Sequence, residues 1–179
     1  MNYTSIILSG LPASGKTTLA KRLSEHWGWP IHSLGQIWRD QWKEKYPQAE
    51  ISFEGYWRQT SLEDNISINQ KAKEIFRKGA VIGESRYSIY CDDIPSLSLF
   101  ITAPLETRAS RSADKYLDTS FFERKKILAG REKDEVERGK QIFEEYYDYR
   151  NPQYYHLVLN SQFLQPGQEF EVARSLIEK

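Results

Sequence analysis

Nine residues near the start of the chain, Gly10-Leu-Pro-Ala-Ser-Gly-Lys-Thr-Thr18, restrict its fold more than any other stretch. They carry the spacing G-x-x-x-x-G-K-[ST] of a phosphate-cradling loop. Each fixed position has a physical reason. Gly10 and Gly15 permit backbone conformations closed to other residues, so successive N–H groups of the loop, through Ser14 and Thr18, can point at phosphate oxygens. Lys16 brings a positive charge to the β- and γ-phosphates of a nucleotide, and the Thr17 hydroxyl is placed to ligate Mg²⁺. Such a loop works between a strand and a helix, and the flanks comply. Residues 3–8 read as a short buried strand, and residues 17–27 put Leu19, Ala20 and Leu23 at helical spacing before Gly28 stops the helix. The helix start adds the positive end of its dipole beneath the anion.

The rest of the chain alternates in the same way. Strands are predicted over 30–33, 80–84, 98–101 and 156–159. Helices are predicted over 34–46, from a cap at Asp64 to Gly79, from Pro104, over 118–149 with breaks near Gly130 and Gly139, and from Pro166 to Ile177, while 47–55 reads as a loop. This pattern predicts an α/β protein with a five-stranded parallel sheet covered by helices on both faces. No repeat, linker or composition change divides the 179 residues, so one domain over 1–179 is expected. The charged stretch from about 112 to 150 is expected to form a helical lid.

Composition removes several functions. The 25 basic and 25 acidic residues balance, which excludes a general nucleic-acid binder. Cys91 is the single cysteine, so no internal disulfide forms and a reducing, cytoplasmic setting is expected. No apolar run reaches membrane-spanning length. His26, His32 and His156 lack metal-ligand spacing. A monomer is the default expectation, with a dimer left open.

In a parallel α/β sheet, ligands bind beyond the carboxyl ends of the strands. There the sequence offers Ser33 and Arg39 after the second strand, Glu84 and Arg86 after the third, and Arg108 and Arg111 after the fourth. Arg131 and Arg138, seven apart, share a helical face in the charged stretch. Each has a plainer explanation. Arg39, Arg108 and Arg111 could be helix surface, Arg86 could pair with Glu84, and Arg131 and Arg138 could join Glu132, Asp134, Glu135 and Glu137 in a solvated ladder. Convergence of cations from separate segments on one rim favours a binding role. Trp38, Trp42, Trp57 and Tyr87 offer ring surface for packing or for stacking on a base.

Gly10–Thr18, Ser33-x-Gly35-x-Ile37-Trp38-Arg39, Lys78 to Arg86, Ile101 to Arg108 and Arg131 to Arg138 together resemble the cytidylate kinases, nearest the short archaeal-type branch of the P-loop nucleoside monophosphate kinases. The resemblance implies a P-loop kinase fold with a monophosphate-binding segment at about 33–78 and the lid at about 112–150. It implies ATP binding by Gly10, Ser14, Gly15, Lys16, Thr17 and Thr18 with Arg108 and Arg111. It implies acceptor binding by Ser33, Arg39 and Arg86, and catalysis by Lys16, Arg131 and Arg138. Thr17 and Glu84 take the Mg²⁺ role. The implied reaction moves the γ-phosphoryl of ATP onto CMP or dCMP. Departures fall on the acceptor side: Ser85 stands for a family Gly, Ser67 and Asn69 for Asp and Arg, and Tyr87 for Asp. Two alternatives stay open. One is a kinase for another nucleotide or a small hydroxyl metabolite, with Asp64, Asp92 or Asp93 as its carboxylate. The other is a nucleotide-binding regulatory module without transfer.

Overall fold

The computed structural model describes residues 3–86, 93–143 and 147–178. Five strands, β1 (Ser5–Gly10), β2 (Ile31–Ser33), β3 (Val81–Glu84), β4 (Ser96–Thr102) and β5 (Leu157–Asn160), form one sheet in the order β2-β3-β1-β4-β5. Every neighbouring pair is parallel. Among the described residues, seven α-helices surround it: α1 (Lys16–Trp27), α2 (Leu34–Lys45), α3 (Phe53–Gln59), α4 (Leu62–Arg77), α5 (Leu105–Arg111), α6 (Phe121–Ile142) and α7 (Pro166–Ile177).

β1 lies in the middle and all six of its residues are buried, as a strand covered on both faces requires. Its side chains alternate between two cores. Ile6 and Leu8 pack with Leu19 and Leu23 of α1 and Ala173 and Ile177 of α7. Ile7 packs with Leu34, Ala72 and Phe76 of α2 and α4. The sheet grows from β1 in both directions, through β3 on one side and β4 on the other. The loop that leaves β1 therefore sits at the topological switch point, where open α/β sheets bind ligands. Gly10 is required there for packing as well as for its ligand role. Its φ is +142°, and a Cβ would lie 2.1 Å from the Ile101 carbonyl oxygen on β4.

The helices depart from the predicted bounds in four places, and the first is the charged helix expected over 118–149, which forms only over Phe121–Ile142. Part of the expected loop 47–55 begins α3, whose cap Ser52 accepts from the Gly55 N–H at 3.1 Å. α4 starts before Asp64, because Ser61 takes the capping position and accepts from the Asp64 N–H at 3.0 Å. α6 runs unbroken through Gly130 and Gly139. A glycine inside a helix costs about 1 kcal/mol, which burial of Leu128 and Val136 on this helix offsets. The helix also begins with a capping box between Ser120 and Glu123. Tyr87, Cys91 and Asp92 lie outside the described residues. Among the described residues, no helix is long and apolar enough to cross a membrane.

Candidate active site

The loop after β1 is shaped by residues in the left-handed region: Ala13 has φ 60° and Gly15 φ 104°. Lys16 opens α1 and folds its side chain back over the loop, where Nζ donates to the carbonyls of Gly10 (2.9 Å) and Leu11 (2.8 Å). The ammonium is buried. Burial first, then the Arg86 charge, hold its pKa well below the ordinary lysine value, against the pull of Glu84 and Glu135. A cation kept at such a cost is stabilised by an anion placed beside it.

The pairing of β1 with β3 sets Leu8 opposite Glu84, and Thr17 Oγ1 donates to Glu84 Oε1 at 2.8 Å. These oxygens fit Mg²⁺, a hard cation that keeps several waters and takes few protein ligands beside phosphate oxygens.

Behind the loop lie two arginines expected to contact the nucleotide. Arg108, 4 % exposed, spends its donors on Ala103 O (2.9 Å), Pro12 O (3.3 Å) and Glu132 Oε2 (3.0 Å). It braces the loop and does not line the cleft. Arg111 donates to Ser161 Oγ (2.8 Å) and Ser161 O (2.7 Å), and Ser161 Oγ donates to Ser14 O at 2.8 Å. Arg111 does line the cleft. Ser161 is a bracing residue that its isolated position after β5 did not single out.

The cleft in front of the loop has a volume of about 420 Å³, and its walls include Ser33, Arg39, Glu84, Arg86, Arg111 and Arg131. Ser33 also caps α2, accepting from the Gln36 N–H at 3.3 Å. Arg39 donates to Gly35 O at 2.9 Å, and its guanidinium lies 5.4 Å from the centre of the Phe53 ring. Arg131 lies 5.8 Å from the same ring. Arg86 and Arg131 share one buried carboxylate. Glu135 pairs with Arg86, accepts from Arg131 Nε at 2.9 Å and accepts from the Tyr149 hydroxyl at 3.1 Å. The expected alternative of a solvated ladder fails here, because Glu135 is 3 % exposed and Arg131 8 %. Burial opposes ionisation of Glu135, but Arg86, Arg131 and Lys16 outweigh it and hold its pKa below the usual carboxylate range. Burial, then Arg131 and Arg86, lower the pKa of Arg39.

Lys115, in a 3₁₀ turn at Ala113–Lys115, joins this wall and was not singled out from the sequence. Its side chain is open to water through the mouth of the cleft. The protein crowding its other sides, then Arg131, Arg39 and Arg86, draw its pKa down to about 7.

A second, narrower pocket of about 50 Å³ shares Gly35, Arg86 and Arg131 with the cleft and is walled by Trp38, Phe53, Trp57, Asn65 and Asn69. Trp42 is outside it, donating Nε1 to Ile51 O at 3.0 Å. Arg138 is not brought into either cavity. It donates to Thr60 O and Arg58 O, both at 3.2 Å, and lies 5.4 Å from the Trp57 ring centre, so it secures the end of α3. Asp64 accepts from Ser61 Oγ and Asp93 pairs with Lys73 and Arg77, and neither lines the cleft or the aromatic pocket. A third hollow of about 250 Å³ adjoins the loop at Gly15, Thr18 and Arg111.

A parallel sheet with this loop at its switch point, faced by a wall of cations, defines a P-loop kinase. The family model described as an AAA domain matches residues 9–140. A cytidylate kinase from Methanopyrus kandleri is 29% identical over 187 residues, covering 97% of this chain and 92% of that protein. Another, from Methanoregula boonei, is 31% identical over 158 residues, covering 88% of this chain and 85% of its own. Among solved structures, a shikimate kinase from Bacteroides thetaiotaomicron aligns with a TM-score of 0.61 over 98% of this chain and 99% of that one; at 14% identity it shares the fold alone. The chain belongs to the cytidylate kinase family of P-loop nucleoside monophosphate kinases.

Proposed function

We propose that the protein transfers the γ-phosphoryl of ATP to the 5′-phosphate of CMP or dCMP. One observation carries this reading: the aromatic pocket and the phosphate cleft share Gly35, Arg86 and Arg131. A monophosphate held by the two arginines directs its base at the aromatic pocket, which must widen to take it, and turns its oxygens to the loop. The nucleophile is then an oxygen that is already anionic, and no general base is needed. Catalysis reduces to alignment and to neutralisation of charge. Lys16 exchanges its loop carbonyls for the β- and γ-phosphates, Arg39 and Arg86 grip the acceptor phosphate, and Arg131 meets the phosphoryl group in flight. Arg111 and the hollow beside Gly15 and Thr18 take the donor nucleoside. Thr17 and Glu84 would hold Mg²⁺, which would supply positive charge against the donor phosphates.

Residues 33–78 grip the acceptor and residues 112–150 close over it, within one domain of 1–179. We take the protein to act as a monomer in a reducing cytoplasm, the latter in keeping with its single cysteine. The test is one preparation assayed with ATP-Mg against CMP, dCMP, UMP, dTMP, AMP and GMP. CMP or dCMP is expected to give the highest kcat/KM, with purine monophosphates at least ~10-fold lower. If AMP or a non-nucleotide alcohol outpaces both, the cytidylate assignment fails. Tight ATP binding without transfer to any acceptor marks a binding module instead.

A further inference from the structure

α4 carries Asn65 and Asn69 four residues apart, on one helical face, and both line the aromatic pocket. Their bonds fix which way each amide points. Asn65 Nδ2 donates to Ser61 O at 2.7 Å and to Thr60 Oγ1 at 3.0 Å. Asn69 Nδ2 donates to Asn65 O at 2.7 Å. A backbone carbonyl can only accept, so in each residue the NH₂ group must be the one turned to the backbone. Both N–H bonds of Asn65 are used this way and one of Asn69. No donor reaches either amide oxygen among the described residues, and both side chains belong to the pocket wall. Their neighbours on the wall add further acceptors. Glu54 accepts from the Tyr116 hydroxyl at 3.3 Å, and Asp134 accepts from Arg58 Nε at 2.8 Å. The arginines of the pocket, Arg86 and Arg131, belong to the end it shares with the phosphate cleft.

We propose that Asn65 and Asn69 determine the base of the acceptor, their amide oxygens accepting from the exocyclic amino group of a 4-aminopyrimidine. A 4-oxopyrimidine presents an oxygen where the pocket already has oxygens, and both sides then lose a partner beside the buried Asn65. The inference rests on the kinase reading above and adds to it the residues that distinguish cytosine from uracil. It also gives Asn69 a use, although that position departs from the family pattern.

The test compares kcat/KM with ATP-Mg for CMP, UMP and N4,N4-dimethyl-CMP, which keeps the ring and its 4-nitrogen but has no N–H to donate. The wild-type protein should prefer CMP to both others by at least ~10-fold. Asn69→Ala removes one amide oxygen without touching the Ser61 cap, and should cut the CMP/UMP ratio at least ~5-fold, through a higher KM for CMP with UMP little changed. Dimethyl-CMP turned over as well as CMP overturns the inference in the wild-type protein, whether or not the variant folds. An unchanged ratio in a folded Asn69→Ala protein overturns it too, and leaves the kinase reading intact if CMP is still phosphorylated. A wild-type protein that phosphorylates none of the three overturns both.

Discussion

The two ends of the cleft, which we assign to donor and acceptor, are built on different principles. The donor end is nine consecutive residues whose shape follows from two glycines, a strand before and a helix after. The acceptor end is assembled from α2, α3, α4, the end of β3 and α6, and no two of its polar groups are neighbours in sequence except Ser85 and Arg86, and Asp134 and Glu135. Phosphate is the same ligand in every kinase, so a local motif suffices for it. A base differs from enzyme to enzyme, and the groups that meet it come from helices that can change one residue at a time. Glu135 joins the two designs, because its carboxylate holds both the arginine that leaves β3 and the arginine of α6.

The sharpest break in this comparison removes Lys16. Lys16→Ala deletes the charge intended for the β- and γ-phosphates, and the pocket of Trp38, Trp57 and Asn69 is untouched. Transfer should fall at least ~10²-fold, roughly 2.7 kcal/mol of transition-state stabilisation. Binding of CMP, followed by titration calorimetry, should stay within a few-fold of wild type. Near-normal turnover would remove this loop from the donor role, and loss of CMP binding would show that the two ends are not separable.

Glu135→Gln attacks the joint. The variant keeps one acceptor oxygen for Arg131 or Arg86 but leaves the buried Arg131 and the half-buried Arg86 without their anion. Breaking a buried pair outright costs about 3–5 kcal/mol, and the retained acceptor should limit the loss here to roughly 2 kcal/mol. A bound acceptor phosphate then supplies the missing negative charge. Melting of the variant should therefore rise more on adding CMP than melting of the wild type does. An equal or smaller rise would mean that Glu135 matters for aiming the arginines and not for balancing their charge.

How much of this was legible beforehand follows the same division. The parallel sheet, its five strands and the loop at its centre could be read because each depends on local patterns: apolar runs, glycine punctuation and a fixed spacing. Thr17 beside Glu84 was anticipated through the motif and the family resemblance together. The bracing roles of Arg108 and Ser161 were not, because a carbonyl partner such as Pro12 O or Ser14 O leaves no trace in the sequence. Nor could a helical wheel place Glu135. Among Glu132, Asp134 and Glu137 it reads as one more surface acid, and only the packing of Tyr149 and Phe100 against α6 makes it a buried one. Asn69 looked like a departure from the family, and Asn65 attracted no notice. Their use depends on which atoms the backbone of α4 occupies.

A smaller effect separates the two lid arginines that the sequence treated as a pair. Arg131 lines the cleft, whereas Arg138 holds α3 through Thr60 O, Arg58 O and the Trp57 ring. Arg131→Ala should lower kcat, and Arg138→Ala should raise the KM for CMP roughly 5-fold with kcat nearly unchanged, about 1 kcal/mol of lost positioning. Steady-state kinetics with each variant decide it. A fall in kcat for Arg138→Ala without a change in KM would return that residue to the closing lid.

The smallest effect concerns Lys115, which sits where the two ends meet and belongs to neither motif. Its pKa near 7 is set by crowding and by three cations, Arg131, Arg39 and Arg86, against the pull of Glu54. At pH 8 the amine of the free protein is thus mostly neutral. Nucleotide phosphates entering the cleft bring negative charge against it and push its pKa back up, so binding at pH 8 must take up a proton. The sign fixes the pH dependence: affinity is greatest below about pH 7 and declines as the pH rises through 7 to 8. Because Lys115 is open to water, screening keeps the decline shallow. Calorimetry of ATP binding at pH 8 in Tris and in HEPES, buffers with different heats of ionisation, measures the uptake directly. The wild-type protein should absorb up to about one proton per nucleotide, and Lys115→Met should absorb less. Uptake that persists in full in the variant would belong to Lys16, the other amine whose pKa burial depresses, and would leave Lys115 without a part in phosphate binding.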